Sequence, residues 1–136
     1  MKVVIDTNVL VSGFLSPYQA PGAIVRMISD LTLHLAYDAR ILTEYETVLT
    51  RPEFGFKPEK VEAFLEQIKA RGQRVVGKPL PKPLPDETDQ MFLEITLAAG
   101  AEYLVTGNLK HFPKALCQGV KVCSPADFLE LYSKSR

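Results

Sequence analysis

Apolar and polar positions along the chain switch repeatedly between a strand-like and a helix-like period. Val3-Val4-Ile5 is a short β-branched run between Lys2 and Asp6, the pattern of a buried strand. Asn8 to Phe14 supports a brief helix before a Ser16-Pro17 turn, and Pro21 fits the first position of a second helix bearing Ile24, Val25, Met27 and Ile28. Leu31, Leu33 and Leu35 alternate with Thr32 and His34, which predicts another strand. Ile41, Leu42, Tyr45, Val48 and Leu49 recur at helical spacing up to Pro52, and Val61, Phe64, Leu65 and Ile68 do so in the next segment. Arg74-Val75-Val76 predicts a third strand. The four alternating prolines from Pro79 to Pro85 then form a stiff connector that neither helix nor central strand accommodates. Beyond it a nearly all-round apolar helix runs from about Glu87 to Ala99, stopped by Gly100. Tyr103-Leu104-Val105 and Val120-Lys121-Val122 predict the last two strands, and Ala126 to Tyr132 a final helix behind Ser124-Pro125.

Strands separated by helices of this length need crossover connections. The expected fold is therefore α/β, a three-layer α/β/α sandwich around a mainly parallel sheet of four to five strands. At 136 residues the chain closes one ordinary core and not two, so residues 1–136 are expected to form a single domain. In such sheets ligands bind outside the carboxyl ends of the strands, which selects positions before any motif is consulted.

Composition narrows the function classes. Sixteen Lys plus Arg balance sixteen Asp plus Glu, so nucleic acid is not held here by bulk positive charge and any phosphate-bearing partner must be gripped locally. No run approaches the ~20 apolar residues of a membrane span. The start Met1-Lys2-Val3-Val4-Ile5-Asp6 meets a carboxylate too soon for a signal peptide's apolar core, and the chain reads as cytoplasmic. Cys117 and Cys123 form no CxxC pair and lie near no histidine at zinc spacing; both are expected to be reduced.

Two polar clusters follow predicted strands: Asp6-Thr7-Asn8 and Thr106-Gly107-Asn108. Asp6 alone reads equally as a helix cap, and Thr7 and Asn8 as residues that satisfy backbone at a strand-to-helix turn. Asp86-Glu87-Thr88-Asp89 opens the apolar helix with Asp86 and Asp89 on one side of its first turn. Capping explains one or two acids there, but three in four residues repel one another unless a cation sits among them. Glu44 and Glu46 flank the apolar stripe of their helix on opposite sides, ~100° from its middle, and periodicity does not choose between them. What these candidates share is hard oxygen without Cys or His, the donor set of Mg²⁺ or Mn²⁺ and not of zinc. A small dication so held acidifies a bound water and neutralises charge on a phosphoryl oxygen, the logic of a phosphodiesterase.

Four segments in order, Val3 to Leu10, Ile41 to Leu49, Pro85 to Leu93 and Ala101 to Asn108, together resemble the PIN domain, and within it the VapC-type toxin ribonucleases of toxin-antitoxin modules. The resemblance spans nearly the whole chain. It implies a metal-dependent endoribonuclease in which Asp6, Glu44 and Asp89 correspond to the family's three principal acids around Mg²⁺ or Mn²⁺, and so chooses Glu44 over Glu46. It places Asp86 as a supporting acid, Thr7 and Asn8 behind the first carboxylate, and Thr106 as the active-site hydroxyl. The chain departs from many relatives at Asn108, where they carry aspartate, and at His111, which reads as a loop histidine. The resemblance further implies an RNA substrate, a cognate antitoxin protein and a second copy of the chain in a homodimer. Among cations, Arg51, Lys110 and Lys114 adjoin the motifs and are weak candidates for phosphate contacts, whereas the lysines and arginines around residues 57–82 interleave with Glu59, Glu62 and Glu66 as an exposed, charge-laced face. Two other readings use the same residues: a metal-dependent DNA nuclease, and a catalytically degenerate PIN-like binding module for which Asn108 is the sequence signal.

Overall fold

A computed structural model describes residues 1–135. Five parallel strands, β1 (Lys2–Ile5), β2 (His34–Tyr37), β3 (Gln73–Arg74), β4 (Tyr103–Val105) and β5 (Val122–Cys123), lie in the order β3-β2-β1-β4-β5. The helices are α1 (Thr7–Leu15), α2 (Ala20–Ser29), α3 (Ala39–Leu49), α4 (Pro58–Arg71), α5 (Gln90–Ala99) and α6 (Pro125–Lys134), completing the α/β/α arrangement that the alternating pattern predicts. The central strand is β1, in register with β2 through Val3 and Leu35 and with β4 through Val4 and Leu104 and through Ile5 and Val105. From β1 the chain builds outward to β2 and β3 on one side, and the later strands β4 and β5 add on the other. The carboxyl ends of β1 and β4 therefore flank the point where the strand order reverses, the crevice in which open α/β sheets place their ligands.

Val3, Val4, Ile5, Leu104 and Val105 are wholly buried, as expected of parallel strands covered on both faces. Helix α5 packs across β1, β2 and β4 through Phe92, Leu93 and Ile95, all buried, which is why its sequence is apolar almost all round. Helix α6 seats Phe128 edge-on against Tyr103 of β4, with centroids 5.7 Å apart.

Three strands sit a little later or earlier than their periodicity predicts, each for a local reason. Leu31 adopts φ 68° and Asp30 accepts from both the amide and the hydroxyl of Thr32, so the first half of the Leu31–Leu35 alternation is a turn and β2 starts only at His34. Strand β3 stops at Arg74 and leaves Val76 exposed: with β2 its only partner, this edge offers the valine no covering face. Val120 closes a turn onto Cys117, with Gln118 and Gly119 at positive φ, which delays β5 to Val122. Helix α1 begins at Thr7 and α2 at Ala20, one residue before the expected starts, and the predicted Glu87–Ala99 helix divides into a 3-10 turn over Glu87–Asp89 and α5 proper. Both cysteines are free and buried, and burial together with Asp127 pushes the Cys123 thiol up to about 11, so it packs as an apolar residue.

Of the glycines, Gly22 at the α1–α2 junction has the least room: a Cβ placed on it would lie 2.1 Å from the Pro17 carbonyl oxygen. Because that obstacle is backbone, Gly22→Ala is expected to lower unfolding free energy by roughly 1–3 kcal/mol, the usual cost of overpacking. Urea denaturation checks this; an unchanged midpoint would show that the α1–α2 loop yields freely.

Candidate active site

Asp6 is the first residue beyond β1. Its amide donates to Val105 O at 2.9 Å, extending the β1–β4 pairing by one rung and holding the residue in the crevice. Although it occupies the N-cap position of α1, its side chain makes no capping hydrogen bond. Its Oδ2 instead accepts from the hydroxyl of Thr106, the first residue beyond β4, at 2.8 Å. Both residues are buried. The two clusters that the strand-end rule singles out thus meet directly, and a second link joins them, Gly107 N donating to Asn8 Oδ1 at 3.2 Å.

Helix α3 starts at the carboxyl end of β2, where Asp38 caps it by accepting from Ile41 N at 2.9 Å. Its middle turn faces the crevice. The half-buried Glu44 accepts a hydrogen bond from the buried Thr7 hydroxyl through Oε2, whereas Glu46 is exposed, so the structure separates the two glutamates that periodicity left equivalent. Between them Tyr45 is fully buried and donates its hydroxyl to Ile5 O, the last carbonyl of β1. Its phenol is held well above the ordinary range, by burial first and then by the charges of Asp6 and Glu44.

The third acid arrives with the 3-10 turn before α5. Asp86 does what its cap reading predicts: Oδ1 accepts from the Thr88 amide at 2.9 Å and the Thr88 hydroxyl at 2.7 Å, and these bonds hold its carboxyl below the usual range. One turn on, Asp89 is buried. The Nδ1 of His111 stands 2.9 Å from the buried Asp89 Oδ2, a close contact without the alignment of a hydrogen bond. Asn108 donates its amide N–H to Thr106 Oγ1 at 3.1 Å and places its side-chain Nδ2 2.8 Å from His111 Nε2.

Asp6 and Asp89 both sense neighbouring carboxylates. The Asp6 pKa is raised, by burial first; Thr106 and the Asn8 amide oppose this, and the charges of Asp89 and Glu44 add to it. The Asp89 pKa is raised by burial, opposed by His111, and raised further by Asp86 and Glu44. Asp6, Glu44 and Asp89 thus lie near enough for their charges to interact, with Thr7, Asn8, Thr106 and Asn108 around them, whereas among the described residues the ligand atoms that gather within 4.8 Å of one another are those of Asp86, Asp89 and His111. The cations are less closely placed. Lys110 and Lys114 are exposed on the loop that carries His111. Arg51 is exposed past the far end of α3, roughly 10 Å along the axis from Glu44.

Sequence reasoning missed a second acidic pair. Arg40 bridges Asp38 (Nε to Oδ2, 2.7 Å) and the buried Glu94 of α5 (Nη2 to Oε1, 2.9 Å), tying α3 to α5 on one wall of a cleft of about 410 Å³ that Glu44 and Thr88 also line. The signal was present: Glu94 is the only charged residue in the largely apolar α5.

A divalent cation suits this donor set. Neighbouring carboxylate charge and burial raise the Asp6 and Asp89 carboxyls, and a cation among them would relieve that cost. Residues 2–110 match the sequence pattern of the PIN domain, and the chain belongs to the PIN-domain family. No curated protein matches it in sequence. In structure it is similar to the solved structure of VapBC2 from Rickettsia felis bound to a DNA fragment from their promoter, with a TM-score of 0.56 at 15% identity over 91% of this chain and 98% of that one.

The raised carboxyls carry a stability consequence. Asp6 and Asp89 keep their protons to higher pH in the folded chain than in the unfolded one, so unfolding releases protons in that window and stability falls as pH rises through it. With divalent ions chelated, Asp6→Asn is expected to withstand more urea than the parent at pH 7, the gap narrowing as pH drops toward about 4, the ordinary aspartate range. Equal midpoints at pH 7 would show that the charge at Asp6 is not under strain.

Proposed function

We propose that the protein is a metal-dependent endoribonuclease that hydrolyses RNA phosphodiester bonds, acting as the toxin of a toxin-antitoxin pair. The observation that carries this reading is the approach of Asp6, Glu44 and Asp89 to one another at the reversal point of the sheet, with the Asp6 and Asp89 carboxyls raised by burial and neighbouring charge. Membership of the PIN-domain family supports it.

In this reading Asp6, Glu44 and Asp89 hold Mg²⁺ or Mn²⁺. When bound, such an ion supplies Lewis acidity toward a phosphoryl oxygen and makes water more acidic. The chain's own residues set the stage. Thr106 fixes the orientation of the Asp6 carboxylate and Thr7 that of Glu44, so these oxygens cost little reorganisation when they bind a ligand. Asn8 and Gly107 lock the two strand-end loops together, and Asp86 adds negative charge at the rim. Lys110 and Lys114 offer the phosphate backbone local attraction beside an acidic pocket that otherwise repels it. Residues 1–136 act as one domain in the cytoplasm, as a homodimer blocked by a cognate antitoxin; the likeness to the VapBC2 assembly supports such a partner. Among the described residues no helix is long and apolar enough to cross a membrane.

The test is cleavage of matched RNA and DNA with Mg²⁺, with Mn²⁺ and with chelator. RNA is expected to be cut only with metal, and Asp6→Asn, Glu44→Gln and Asp89→Asn each to abolish cutting while retaining the parent's circular dichroism. Preference for DNA would favour the DNA nuclease, and an inert, folded parent the binding module. Thr106→Val, which leaves every acid in place, is expected to weaken Mn²⁺ binding roughly 10–100-fold; calorimetry showing no change would remove Thr106 from the site's support.

A further inference from the structure

His111 is one of two histidines in the chain, and its surroundings are those of a ligand more than of a loop residue. It is half-buried, with Asp89 on one ring nitrogen and Asn108 on the other. Ligand atoms of Asp86, Asp89 and His111 all lie within 4.8 Å of one another. A second observation points into this cluster: the Asp89 side chain is only 9% exposed, and its buried Oδ2 faces His111 Nδ1 across 2.9 Å without an aligned hydrogen bond. The 2.9 Å between these two atoms matches the edge between adjacent ligands of an octahedral ion, ~3 Å for bonds of ~2.1 Å.

We infer that His111 is a metal ligand, its Nδ1 joining Asp89 and Asp86 in a mixed nitrogen and oxygen site that prefers Mn²⁺ and later first-row ions such as Co²⁺ to Mg²⁺. The inference rests on the reading of Asp89 as a metal ligand and adds a nitrogen to what the sequence describes as an all-oxygen donor set. Imidazole is the softer donor, and its bond to a divalent ion strengthens from Mn²⁺ toward Co²⁺ and Ni²⁺, whereas Mg²⁺ gains little from nitrogen.

Asn108 has a defined part in this arrangement. To bind through Nδ1 the neutral ring must carry its proton on Nε2 and needs an acceptor there. The Asn108 carboxamide lies against this nitrogen, its Nδ2 2.8 Å from Nε2. The two ends of a carboxamide have the same shape, so turning it over presents Oδ1 to an Nε2–H. One side chain thus serves the ring in both tautomers. A carboxylate at 108 would serve only the second and an apolar side chain neither. Asn108 is a positioning residue that acts through His111.

Pulsed electron paramagnetic resonance of the intact chain loaded with Mn²⁺ alone tests this. We expect ¹⁴N coupling from one imidazole, kept in His34→Gln and lost in His111→Gln, with circular dichroism unchanged. His34 opens β2, at the amino ends of the strands and away from the site, and serves as the control. Calorimetry is expected to show His111→Gln lowering affinity for Co²⁺ more than for Mg²⁺, and Asn108→Leu weakening Co²⁺ roughly 10–100-fold. Mn²⁺ bound without nitrogen coupling, but lost in Asp6→Asn, would overturn the role of His111 and leave the three-acid centre intact. Nitrogen coupling in a chain that cuts no RNA, and that Asp6→Asn leaves unaltered, would support the histidine site and count against the nuclease. A parent that binds neither ion would overturn both.

Discussion

Asp6, Glu44 and Asp89 carry like charge into one crevice at the carboxyl ends of β1 and β4, and burial raises the cost of that charge for two of the three. Repulsion of this kind favours proton uptake or separation, so the surrounding structure must hold the groups where they do not rest comfortably. It does so with short polar contacts from residues immediately adjacent in sequence or across a strand. Thr106 donates to Asp6, Thr7 to Glu44, and Asn8 anchors Gly107. The Asp89 oxygen that faces His111 without an aligned hydrogen bond is the remaining imbalance, and a dication would answer both that and the excess charge.

The rigidity behind these contacts comes from the sheet. β1 is wholly buried over Val3–Ile5 and is flanked on both edges, so the residue that follows it cannot drift. Tyr45 reinforces the same point: it is buried under Glu44 and bonded to the last carbonyl of β1, which couples the position of α3 to that of Asp6. The bridge from Arg40 to Asp38 and Glu94 performs the corresponding task between α3 and α5, so that the helices bearing Glu44 and following Asp89 are tied on the wall of the site. Removing one partner of that bridge would leave a buried carboxylate alone, which is costlier than never having built the pair.

Much of this was legible in the sequence because strand ends and helix periods are local properties. The order of apolar runs predicts a parallel sheet, and the rule for its carboxyl edge picks Asp6 and Thr106 without any motif. Boundaries were displaced where turn chemistry intervenes, as at Leu31, whose positive φ no alternation reports. The choice between Glu44 and Glu46 needed either the family resemblance or the third dimension, since both sit at the same angle from their helix stripe. The contacts of His111 are hidden from the sequence for a related reason. Its partners Asp89 and Asn108 lie on separate segments, and neither spacing nor composition shows that a loop histidine returns to the first turn before α5. Glu94 was overlooked although a single carboxylate in an apolar helix is itself a request for a cation, here Arg40.

The central claim is that three acids remote in sequence share one divalent ion. Anomalous diffraction from a crystal soaked in Mn²⁺ tests it directly. The account predicts a peak within ~2.0–2.3 Å of carboxylate oxygens of Asp6, Glu44 and Asp89. Full Mn²⁺ occupancy elsewhere on the chain, with no peak between these three side chains, would contradict it.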